Sequence, residues 1–76
     1  MTANEAREII INDMKGWTPF PGEDTEYGEV EGPVSEDEYS FYFEIPEYDR
    51  ISGKSKRERY EVNKETRQVG RVVYEG

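Results

Sequence analysis

Between Asp37 and Ile45 the chain reads DEYSFYFEI, with Tyr39, Phe41, Phe43 and Ile45 alternating against Glu38, Ser40, Tyr42 and Glu44. A period of two is the pattern of a half-buried β-strand, because successive side chains on a strand point to opposite faces. The odd-numbered face needs an apolar cover, and the strand needs neighbours on its edges. The rest of the chain has to supply both.

The cover is predicted at the N-terminus. Thr2 and Glu5 stand three residues apart, the spacing of a capping box, in which hydroxyl and carboxylate satisfy early backbone N–H groups of a helix. Ala6, Ile9, Ile10, Met14 and Trp17 then recur at three- and four-residue intervals and form one apolar stripe. Gly16 supplies a stop signal. A helix over about residues 3 to 15 follows, with its stripe on the odd-numbered face of the strand.

The neighbours are predicted on both sides. Tyr27 to Val34 reads as a short edge strand, irregular because Gly28, Gly32 and Pro33 interrupt it. Arg57 to Val62 alternates again, with Tyr60 and Val62 inward, and 68 to 75 closes the chain with Gly70 placed as a bulge would place it. Residues 17 to 26 form a proline-containing connector from which Trp17 and Phe20 fold back on the core. Residues 46 to 56 form a long polar loop, and Asn63 to Arg67 a turn. The fold class is therefore α+β, an N-terminal helix packed on a three- to four-stranded antiparallel sheet. The expected core is Ala6, Ile10, Met14, Phe41, Phe43, Ile45, Tyr60, Val62 and Val72.

Composition limits what this plan becomes. A chain of 76 residues with 33% hydrophobic content supports one small core, so residues 1 to 76 are read as a single domain. The 37% charged content and the mean hydropathy of -1.05 lean toward disorder. One Trp, six Tyr and three Phe are more aromatic side chains than a disordered acidic tail carries, and they argue for a folded domain.

The net charge of -8 is unevenly spread. Residues 16 to 49 contain eleven acidic and no basic side chains, whereas residues 50 to 76 contain eight basic and four acidic ones. Direct nucleic-acid binding is disfavoured, because the acidic segment repels phosphates, and a protein partner with a basic surface is favoured. Without a basic segment leading into a long apolar one, and with nothing near the ~20 apolar residues of a spanning helix, the chain as given reads as cytoplasmic and not membrane-bound. Loss of a leader segment would make it extracytoplasmic.

The closing stretch RYEVNKETRQVGRVVYE, taken with the opening NEAREII and the strand DEYSFYFEI, resembles PepSY-type domains, in which a helix packs on an antiparallel sheet ending in a hairpin with a Thr-Gly turn. The resemblance implies a module that binds and restrains partner proteins, peptidases among them. Arg67 stands where the family has its turn glycine, so the same turn geometry puts an arginine at φ > 0.

No histidine and no cysteine are present, which removes the commonest general base and the thiolate nucleophile. Carboxylates remain, but nothing singles out a catalytic pair, and no Asp-rich calcium loop occurs. The chain reads as a non-enzyme, without cofactor or metal, that acts as a protein-binding or inhibitory module. An alternative is an acidic mimic of nucleic acid that blocks a basic enzyme groove. Alternate strand residues lie ~6.6 Å apart, so Glu29 with Glu31, or Glu36 with Glu38, would space charge roughly as phosphates are spaced. The candidate partner-binding residues are those four glutamates together with Tyr42 and Tyr48, aromatics expected off the helix-facing side, Tyr48 in the long loop.

Overall fold

The computed structural model describes residues 1–18 and 21–72. Its order is α1 (Ala3–Met14), β1 (Thr25–Tyr27), β2 (Glu31–Glu36), β3 (Ser40–Asp49), β4 (Ser55–Asn63) and β5 (Val69–Val72). The capping box is formed in both directions: the Glu5 amide donates to Thr2 Oγ1 and the Thr2 amide to Glu5 Oε1, each at 3.2 Å. The helix does not end on a left-handed glycine at Gly16. Its last carbonyls, on Asn12, Asp13 and Met14, instead accept from the amides of Lys15, Gly16 and Trp17 in a tightened final turn.

All strands join one antiparallel sheet, with α1 across one face. Five strands occur because the edge strand expected over 27 to 34 is divided. β1 pairs with the C-terminal end of β3 and β2 with its N-terminal half, so both occupy the same side of it. The irregularity expected near Pro33 is a register shift between Glu31 and Ser35, which contains a cis Gly32–Pro33 bond.

β3 runs through Pro46 and on to Asp49, correcting the expected strand end and shortening the long loop. A strand residue points its N and its C=O toward the same neighbour. The Pro46 carbonyl accepts from the Gly28 amide at 2.8 Å, so the hydrogen-less proline nitrogen faces the gap between β1 and β2. No ladder bond to β4 is lost, and the proline is tolerated in a central strand.

The hairpins β3–β4 and β4–β5 use one loop design. Asp49 and Asn63 each accept, through Oδ1, from an amide two residues on, and through the main-chain carbonyl from the amide four residues on. A hydroxyl in the loop, of Ser52 or Thr66, accepts from the closing amide of Lys54 or Gln68. The last loop residue is left-handed in both: Gly53 at φ 72° and Arg67 at φ 62°. The φ > 0 expected of Arg67 is therefore present.

The core consists of Ala6, Ile10, Val30, Phe41, Phe43, Ile45, Tyr60 and Val62, with Phe43, Ile10, Ile45 and Val62 fully enclosed. Three expectations need correction. Met14 only packs at the margin. Tyr39 precedes β3, in the turn, and is 71% exposed. Gly70 makes no bulge: the β4–β5 register is unbroken from Arg59↔Val72 to Val62↔Val69, which sends Val69 to the helix face and Val72 to the opposite one. Trp17 folds back as expected, edge-on to Tyr27 at 5.4 Å and tilted over Tyr60 at 4.8 Å, with its indole N–H donating to Asp13 Oδ2. The expectations for Phe20 and for residues 73 to 75 lie outside the described residues.

Candidate functional site

The acidic segment does not stay unpaired once folded. β4 lies beside β3, and its long cations reach across to the strands beyond. Arg57 pairs with Glu31, and Arg59 donates to Ser35. At the hairpin ends, Lys64 Nζ lies 2.6 Å from Glu36, and Arg50 lies 3.3 Å from Glu26. Charge segregated along the chain is thus partly neutralised in space.

The four candidate glutamates do not form a regular ladder. Glu29 lies in the connection between β1 and β2, outside any strand, so the extended spacing to Glu31 is not imposed. Glu36 ends β2 and Glu38 lies in the following turn, which removes the second pair as well. Glu29, Glu38 and Glu44 form no ion pair with another described residue.

Tyr42 and Tyr48 do lie on the face away from the helix. Tyr48 is part of β3, between Glu26 and Ser55, and not of a loop as expected. It is 43% exposed. Tyr42 is engaged within the fold: its hydroxyl donates to Asp37 Oδ2 at 2.6 Å and its ring lies 5.5 Å from the Arg59 guanidinium. That hydroxyl, together with the amides of Tyr39 and Ser40, holds the Asp37 carboxyl below the usual carboxylate range. A trough of about 480 Å³ on this side is lined by Glu26, Gly28, Pro46, Tyr48, Ser55 and Arg57, among others.

A second site escaped the sequence. Past the C-terminal end of α1, the helix-facing side of the sheet carries a cleft of about 360 Å³ walled by Trp17, Thr25, Tyr27, Glu47, Tyr60 and Arg71, among others. Glu47 is only 7% exposed. One of its oxygens accepts from the Tyr60 hydroxyl at 3.4 Å, and Oε2 is buried without a hydrogen-bond partner among the described residues. Burial pushes its carboxyl up, Lys56 partly opposes this, and Glu58 adds to it. Burial and the nearby Glu47 also push the Tyr60 phenol well up. Continuing the odd-numbered alternation from Phe41, Phe43 and Ile45 through Pro46 would have placed Glu47 inward, but the proline reads as a strand end.

Among the described residues no group of three or more carboxylates converges as a cation site requires, and no helix is long and apolar enough to cross a membrane. Comparison with family models, curated proteins and solved structures finds no match.

Proposed function

We propose that this protein is a non-catalytic binding module that holds a basic protein partner against the face of its sheet opposite α1. The observation that carries the reading is the composition of that face. β3 presents Tyr42, Glu44, Pro46 and Tyr48 outward, while α1 packs on the other side. Tyrosine and proline offer rigid apolar area at small entropic cost, which is the chemistry of protein interfaces. The carboxylates of Glu29, Glu38 and Glu44, left without a described cation, add attraction for lysine and arginine. The order of helix and antiparallel sheet, which the resemblance to partner-restraining domains implied, also supports it. Nucleic-acid mimicry draws less support, because Glu31 and Glu36 are paired internally and the four glutamates share no extended segment.

The test is capture of binding proteins by the purified domain, followed by footprinting of the complex by hydrogen exchange. Protection is expected on β3, with binding weakened by Tyr48→Ala and by Glu44→Gln. Binding that survives both, or that disappears only when Glu29, Glu31, Glu36 and Glu38 together become Gln and falls steeply with salt, would reject the sheet-face reading in favour of mimicry. Robust hydrolysis by the pure protein would reject the non-catalytic one.

A further inference from the structure

The cleft around Glu47 lies on the side of the sheet opposite the proposed partner face, and its chemistry is different. Its walls are aromatic: Trp17, Tyr27 and Tyr60 meet there. Its base holds a carboxylate that is more than nine-tenths buried, with one oxygen lacking a hydrogen-bond partner among the described residues. A buried acceptor without a donor is costly, and a buried carboxylate without a counter-charge more so.

The cations closest to hand are already engaged elsewhere. Lys56 stands directly across from Glu47 in the β3–β4 register, yet its Nζ lies 3.0 Å from Glu58. Arg71, on β5, lies 3.2 Å from the same Glu58. Two cations therefore share one carboxylate, while Glu47 and the cleft-lining Glu23 have no ion-pair partner among the described residues. With Glu58 counted, three carboxylates, Glu23, Glu47 and Glu58, face the two cations Lys56 and Arg71 around the cleft.

We propose that this cleft is a binding site for a primary ammonium group carried on a short alkyl chain, such as a lysine side chain or a small alkylamine. Three features select that class. The unsatisfied Glu47 oxygen asks for an N–H donor. The aromatic faces attract a cation and accept the alkyl chain. The free volume matches a small ligand and not a folded partner.

The molecule carries its own reporter, because Trp17 is the one tryptophan in the chain and forms a wall of the cleft. Titration of the full chain with n-butylammonium at constant ionic strength, followed by Trp17 fluorescence and by the amide NMR shifts of Tyr27, Glu47 and Lys56, should give one saturable transition in the millimolar range. Glu47→Gln keeps the size of the side chain and removes the charge. It should weaken binding by about tenfold or more, the loss expected of a charge-assisted hydrogen bond. Glu65→Gln, exposed in the β4–β5 turn, should leave binding unchanged. Tetramethylammonium, which has the charge but no N–H, should bind far more weakly. No saturable change in either readout, equal binding by Glu47→Gln, or equal binding of tetramethylammonium would each overturn the proposal. Because the two surfaces lie on opposite faces, failure here leaves the partner-binding reading intact, and the reverse also holds.

Discussion

Two hairpin loops with the same hydrogen-bond design but different residues at the left-handed position form an internal experiment. At φ 62° an Arg67 Cβ crowds the backbone, a conformation that costs an L-residue roughly 1–2 kcal/mol. Arg67→Gly removes that cost but raises the entropy of the unfolded chain, which returns about 0.5–1 kcal/mol. The Arg67–Glu5 pair, at 3.7 Å with both side chains largely exposed, adds little in water. The net expectation is stabilisation by about 0.5 kcal/mol, or about 2–4 °C in Tm for a domain of this size. Gly53→Arg is the mirror change. A Cβ there meets nothing within 4 Å, so no clash confuses the result, and the loss should be of similar size. The double variant, with the two residues exchanged, should lie near wild type, because the loops close opposite ends of β4 and share no contact. Urea denaturation followed by tryptophan fluorescence, with unchanged slopes, measures all three. If Arg67→Gly is neutral or destabilising while Gly53→Arg is harmless, left-handed strain is not what distinguishes these loops.

Further outcomes concern the core and the buried carboxylate. Ile10 is fully enclosed between α1 and the sheet, so Ile10→Ala should cost about 2–5 kcal/mol, a large share of the stability of so small a domain, read as an earlier urea midpoint. Glu47 has its carboxyl pushed up in the folded state, so the folded chain holds that proton at a pH where the unfolded chain has released it. The stability it contributes is present below the ordinary carboxylate range and is lost as pH rises through the folded value. Glu47→Gln cannot ionise, so its stability relative to wild type should grow as pH rises from about 4 through the folded-state value. Asp37, Asp49 and Glu5, whose carboxyls are held down, slope the other way but cancel in the difference. The titratable groups around Glu47 include Glu23 from the connector before β1, Tyr27 from β1, Lys56, Glu58 and Tyr60 from β4, and Arg71 from β5. A difference curve that is flat with pH, or that falls, would refute the burial argument.

What the sequence determined by itself is what local chemistry controls. The capping box between Thr2 and Glu5, the apolar stripe ending near Met14, the alternation of Phe41, Phe43 and Ile45, and the turn at Asn63 each depend on residues within a few positions of one another. Each was legible for that reason. The left-handed geometry at Arg67 was anticipated only through the resemblance, which puts a turn glycine at that position.

What only the tertiary structure decided depends on which strand lies beside which. Pro46 stays inside β3 because its nitrogen faces the gap between β1 and β2, a gap that no window around residue 46 reveals. Val72 leaves the core and Val69 packs against it, because one residue of register decides which face each meets. The acidic run from Glu23 to Asp49 is partly neutralised because β4 brings Arg57, and the turn beyond it Lys64, across to β2. Burial of Glu47 among Trp17, Tyr27 and Tyr60 gathers four separate stretches of chain into one cleft. Contacts of that kind are set by which strands pair and in what register, up to 28 residues apart for Lys64 with Glu36, beyond the reach of any short-range rule.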